Sequence, residues 1–193
     1  MSVSGLKEAV EALTQISRFA VPKAQVQAVN RVAKRVVSRS LRMAAKEIVA
    51  GDNQHKGIPL RAIRRRPRLR QASLAKPRAS IFVNRQPLTA IKLLGAPPAA
   101  PVRGKRGKAL KIGPYRFRNG FIAQAPNGYW QIFERVGQAR NPLRVIKIEV
   151  ADTLSQVFIS QTTEQMKAEM PKELGYALNY LVRCKTPSFR AGI

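Results

Sequence analysis

At 193 residues, 45% of them hydrophobic, the chain has the length and make-up of one globular domain with a real core. Its 36 Lys and Arg against 10 Asp and Glu leave a net charge of +26, an imbalance that favours nucleic acid or another acidic surface as partner. A single cysteine, Cys184, excludes an internal disulfide framework and a cysteine-rich zinc site, and no apolar run is long enough for a membrane span, so a cytoplasmically made, non-membrane protein is expected.

In chain order, Leu6, Val10, Leu13, Ile16 and Ala20 recur at helical spacing, and Ser4 suits an N-cap. Residues 4–19 therefore predict an amphipathic helix. Val21-Pro22 predicts an interruption, with Pro22 opening a second helix. The apolar period runs on through Val26, Val29, Ala33, Val36, Leu41, Ala44 and Ile48 to Gly51, the expected C-cap. At about 1.5 Å per residue this second helix is about 43 Å long. Arg31, Arg35, Arg39, Arg42 and Lys46 form a basic stripe along it, which either meets a partner or faces solvent.

Residues 51–58 read as a loop, and His55 within it has no second His or Cys nearby to build a metal or catalytic pair. Pro59 predicts a short helix over 60–66, ended by Pro67. Arg61, Arg64, Arg65, Arg66, Arg68 and Arg70 crowd into this stretch. Strands are predicted at 78–84 and 88–94. Residues 95–109 are rich in Gly and Pro, carry Arg103, Lys105, Arg106 and Lys108, and have neither an acidic residue nor an apolar period. A mobile basic loop is expected there.

The strongest β signal lies in 110–150. Phe121 to Gln124 and residues 129–136 flank Asn127-Gly128, which predicts a two-residue hairpin turn with Pro126 at the strand end. Residues 143–150 alternate Val145, Lys147 and Glu149 with Ile146, Ile148 and Val150, a half-buried strand. Tyr115-Arg116-Phe117-Arg118 alternates too, with the aromatic rings expected to face the core rather than stack on bases. Asp152 is expected to cap a helix with Leu154, Val157, Phe158 and Gln161 on one face. Pro171 is expected to break or restart it before Leu174, Ala177, Leu178 and Leu181 carry the stripe to Cys184. The order of elements predicts an α+β fold, a largely antiparallel sheet packed by long N-terminal and C-terminal helices. It is expected to form a single domain over 1–184, followed by a flexible tail at 185–193.

The charge is uneven. Between Asn53 and Phe133 there is no acidic residue, yet the span holds 18 of the 36 Lys and Arg. So many unpaired cations cannot be buried, because desolvation would cost far too much. Arg61, Arg64, Arg65, Arg66, Arg68, Arg70, Arg103, Lys105, Arg106 and Lys108 are therefore the candidate residues for contact with DNA or an acidic partner. Nothing points to catalysis. The chain has no nucleophile elbow, phosphate loop or dinucleotide fingerprint, and its carboxylates are scattered, so no enzyme activity, metal or cofactor is expected.

Several segments carry a resemblance. GLKEAVEALTQISRFAVPKAQVQAVNRVAKRVVS at the start, IPLRAIRRRPRLR, RASIFVNRQPLTAIKL, NGYWQIFERVG, RNPLRVIKIEV and the closing MPKELGYALNYLVR together resemble the minor tail protein Z family of lambda-like phages. PKELGYAL is the most specific piece, and the likeness spans residues 4–184 outside the 95–109 loop. The resemblance implies a structural tail completion protein of a long-tailed bacteriophage. Such a protein is added late at the head-proximal end of the tail and serves head–tail joining and DNA positioning and ejection. It also implies a virion location after assembly in the host cytoplasm, a homo-oligomeric ring, and the tail terminator, tail tube or tape measure as partners. A ring of these chains would set basic residues around a duplex carrying about one charge per 1.7 Å of axis. The rival reading is a free-standing, sequence-independent nucleic-acid-binding protein, which explains the charge but not the resemblance.

Overall fold

The computed structural model describes residues 3–48, 57–94, 98–103, 109–112, 115–137 and 142–185. The helical elements and first strands are α1 (Val3–Gln15), a π-helical turn (Ile16–Ala20), α2 (Val21–Glu47), α3 (Leu60–Ile63), β1 (Pro67–Arg70), β2 (Ser80–Val83) and β3 (Leu88–Thr89). A 3₁₀ turn (Ala90–Leu93) leads to β4 (Val102–Arg103), β5 (Leu110–Ile112), β6 (Tyr115–Phe117) and β7 (Gly120–Gln124). The chain continues through β8 (Trp130–Arg135), β9 (Leu143–Val145), β10 (Lys147–Ile148) and α4 (Ala151–Lys185). This is the expected α+β class. Two compact units divide it, one from Met1–Ser38, Arg68–Phe82 and Ile159–Ile193, the other from Arg39–Pro67 and Val83–Phe158, in each case their described residues.

In the first unit, Ala20 and Ala24 pack with Ala177 and Leu181, and Ile16, Leu174 and Leu178 close the cluster. Small alanines let the two helices approach closely, and further along α2 Arg31 and Arg35 meet Glu173 and Glu169 further back on α4, so the two run antiparallel. The α-helix is interrupted before Val21-Pro22 as expected, with α2 starting at Val21 after a π turn, whereas Pro171, contrary to the sequence reading, does not break its helix. A proline ring clashes with the carbonyl four residues back, and the π turn at Ile16–Ala20 makes room for Pro22 as α2 begins. Pro171 sits inside α4. Buried Gln165 before it and buried Glu173, Ala177 and Leu181 after it hold the helix on course.

The second unit is built on a four-stranded sheet in the order β4-β7-β8-β9. Ile122 and Ile132 face each other directly across β7 and β8, and both are buried. The connection between those strands has three residues rather than two. Ala125 N–H bonds the Tyr129 carbonyl (2.9 Å) and Gly128 N–H bonds the Ala125 carbonyl (2.8 Å). Only Gly128 has positive φ (+79°), so Asn127 stays in the ordinary region and its Oδ1 accepts from Tyr129 N–H at 3.2 Å. Within 95–109, Val102 and Arg103 pair with Ile122 and Phe121 as the edge strand β4.

The predicted strand over 143–150 changes partner midway. β9 pairs with β8, and β10 pairs with β3. Ile146 joins the two ladders: its N–H bonds the Ile132 carbonyl and its carbonyl accepts from Ala90 N–H, both at 2.9 Å. The alternation holds, with Ile146, Ile148 and Val150 buried and Lys147 and Glu149 exposed. The strand predicted at 88–94 is shorter, because after Thr89 the chain turns into the 3₁₀ segment once Ala90 N–H is engaged. Pro67 starts a strand rather than merely ending a helix, a position where its missing N–H costs nothing. Asp152 lies in the first turn of α4, where its charge suits the helix dipole, rather than capping it. At the end of α2, Ile58 N–H satisfies the Ala45 carbonyl (2.8 Å), and the approach requires Gly57, whose φ is +101°. A Cβ there would lie 2.2 Å from that same oxygen. Gly51 and His55 lie outside the described residues, and so does the tail beyond Lys185. No described helix is long and apolar enough to cross a membrane.

Candidate anion-binding surfaces

The arginine run divides between the two units. In the second, Arg61 on α3 and Arg64 and Arg65 in the turn after it are exposed. Arg66 is turned inward. Its Nη1 donates to the carbonyls of Asn84 (3.0 Å) and Gln86 (2.6 Å), and its own carbonyl accepts from Asn84 N–H at 3.1 Å. Burial lowers its pKa from the ordinary arginine value, although a guanidinium stays protonated in any accessible pH. Arg66 is thus a tie within the fold. In the first unit, Arg68 and Arg70 are exposed on β1 and alternate with half-buried Pro67 and Leu69, which puts both on one face. Arg103 stands in β4 opposite Phe121. Lys105, Arg106 and Lys108 lie outside the described residues.

One concave feature escaped sequence reasoning. The segment between β1 and β2 surrounds a cleft of about 520 Å³ lined by Arg70, Gln71, Ser73, Lys76, Arg78 and Ser80, with Pro77. The loop is held by its own backbone: Ser73 N–H bonds the Lys76 carbonyl (2.9 Å), Lys76 N–H returns to the Ser73 carbonyl (3.1 Å), and Arg78 N–H bonds the Lys76 carbonyl (2.8 Å). Asn30 of α2 anchors it. Its Oδ1 accepts from Ala72 N–H at 2.7 Å and its Nδ2 donates to the Ala72 carbonyl at 3.0 Å, so one amide side chain stands in for a strand neighbour. The available signal was Lys76-Pro77-Arg78, which falls inside the acid-free span.

A second cationic feature is the β5–β6 ribbon, whose register sets Lys111 directly opposite Arg116, both exposed. Like charges opposed across a ladder destabilise it unless an anion lies nearby. The ribbon is anchored from behind, where half-buried Tyr115 and Phe117 stack at 6.3 Å and the Tyr115 hydroxyl donates to the Ile48 carbonyl at 3.3 Å. The aromatic rings therefore serve packing, as the alternation predicts.

Other cations are spoken for. Arg31 Nη1 reaches Glu173 Oε2 at 3.3 Å, Arg35 Nη2 reaches Glu173 Oε1 at 2.8 Å, and Arg35 also pairs with Glu169. Arg31 and Arg35, two of the five residues in the basic stripe on α2, thereby form an internal clamp on α4. Arg144 pairs with Glu134 at 2.8 Å across β9 and β8. Among the described residues no carboxylate pairs with Arg61, Arg64, Arg65, Arg70, Lys76, Arg78, Lys111 or Arg116, and no group of three His, Cys, Asp or Glu could hold a metal ion.

These features define a basic α+β protein that spends some arginines on its own helices and presents the rest from short turns and ribbons. The family described as prophage minor tail protein Z (GPZ) matches residues 3–186, and the chain belongs to that family. Among curated relatives, the tail completion protein of Escherichia phage N15 is 41% identical over 175 residues, covering 88% of this chain and 90% of the relative. Tail completion protein Z of Escherichia phage lambda is 37% identical over 196 residues, covering 95% and 97%. No solved structure matches.

Proposed function

We propose that this protein is a structural, non-catalytic tail completion protein of a long-tailed bacteriophage. It joins the virion at the head-proximal end of the tail and serves head–tail joining and the positioning and ejection of DNA. The observation that carries this reading is the near-full-length match to relatives that are themselves named tail completion proteins. The proposed partners are other tail proteins, namely the terminator, tube or tape measure, together with further copies of the chain in a ring and the DNA that passes it. The unpaired cations support a polyanionic neighbour.

Complementation tests the reading directly. Tails made by a phage lacking this gene should be non-infective and should regain infectivity when purified protein is added. A tagged copy should appear at the head-proximal end by electron microscopy. Full infectivity without the protein, or a tag along the tube or at the tip, would contradict it. A free-standing nucleic-acid-binding protein would leave infectivity untouched while still binding DNA in solution.

A further inference from the structure

The geometry points to the cleft between β1 and β2 as a binding site for the phosphodiester backbone of nucleic acid, held by Arg70, Lys76 and Arg78. Three observations converge on it. First, three cations line one concave surface, and no described carboxylate pairs with any of them. Concentrated positive charge of this kind is costly to fold around unless an anion offsets it. Second, the rest of the lining, Gln71, Ser73 and Ser80, consists of hydrogen-bond donors, with Pro77 the one apolar side chain. An acidic protein segment would need apolar anchor pockets to bind well. Phosphate oxygens need only charge and donors, the set that positions proteins on nucleic acid without reading sequence. Third, the site is preorganised. Asn30 fixes Ala72 through both backbone groups, and the Ser73–Lys76 bonds hold the loop before any ligand arrives. On adjoining β1, Arg68 and Arg70 share a face about 6.6 Å apart, a spacing that extends the cationic track beyond the cleft.

This inference rests on the proposed function for the source of the nucleic acid, the DNA that passes through the tail. It assigns the contact to Lys76 and Arg78, neither of which the arginine run of 61–70 contains.

The test is fluorescence anisotropy of a short labelled DNA duplex titrated with full-length protein across a salt series. Log affinity should fall with log salt at about −0.9 per phosphate engaged. Lys76→Gln/Arg78→Gln should flatten that slope by about two. Lys92→Gln/Lys147→Gln removes the same charge from exposed positions outside the cleft and should leave the slope unchanged. The charge-preserving Lys76→Arg/Arg78→Lys should bind as the parent does, which separates lost contacts from a misfolded loop. Equal slopes for the two Gln variants would overturn the proposal, since only the overall field would then matter. So would absence of duplex binding by the parent protein. If Lys76→Gln/Arg78→Gln binds DNA normally but no longer enters tails, the cleft serves an acidic protein and the proposal fails. The tail completion reading survives that result, because complementation by the parent protein tests it separately.

Discussion

Arg64, Arg65 and Arg66 are identical in type and adjacent in sequence, yet they do different jobs. Arg64 and Arg65 reach solvent, while Arg66 spans two carbonyls of the segment after β2. Hydrogen bonds from a charged donor contribute about 1.5–3 kcal/mol each when protected, and less when half-exposed. Arg66→Gln should therefore lower stability by about 1–3 kcal/mol, read as a lower urea midpoint with an unchanged slope. Arg64→Gln and Arg65→Gln should stay within about 0.5 kcal/mol of the parent. The sequence could mark the run as unusual because charge is countable. It could not mark which guanidinium turns inward, because that depends on the carbonyls of Asn84 and Gln86, eighteen and more residues away. Asn30 was hidden for the same reason, since a lone polar residue on a long helix gives no hint that Ala72 will need its amide.

Among the elements, the helices were legible as apolar stripes, and Leu154, Val157, Phe158 and Gln161 are buried as their spacing predicts. Their punctuation was harder to read. Pro22 and Pro171 are local breakers: the first comes with a widened π turn before α2 begins, while packing overrides the second through burial on each side. Glu173 has a side chain only 5% exposed and receives two guanidinium groups, those of Arg31 and Arg35, which are themselves 55% and 48% exposed. Removing its charge leaves two cations without their shared partner. The half-exposed arginines can recover water, so the loss falls short of that for a fully buried pair. Glu173→Gln should cost about 1–3 kcal/mol, seen as a lower thermal midpoint. The difference from the parent should shrink in high salt. Equal stability of variant and parent at low salt would show that the helices hold together by apolar contact alone.

At the scale of the whole molecule, the order of predicted elements indicated the α+β class correctly, and the family emerged from motifs spread along the chain. The grouping of residues did not emerge, because it follows from contacts between distant segments. The first unit takes its residues from three separate stretches and the second from two. Within the first, Ala20 and Ala24 find their apolar partners at Ala177 and Leu181. A chain truncated after Phe158 should leave that alanine face uncovered. Limited proteolysis should then cut α1 and α2 rapidly, whereas the full chain should protect α2 there. Protection of α2 in the truncated chain would show that this packing is dispensable.

The same pairing has a consequence in time. A ribosome delivers Ala20 and Ala24 early and Ala177 and Leu181 among the last residues, so the helices that open the chain must wait, apolar side bare, for nearly the whole of synthesis. The second unit lies largely between these two deliveries and can close in the interval, at least up to Phe158. Folding therefore cannot follow the order of manufacture, and the nascent chain carries a sticky, positively charged helix through the crowded host cell until its final turns emerge.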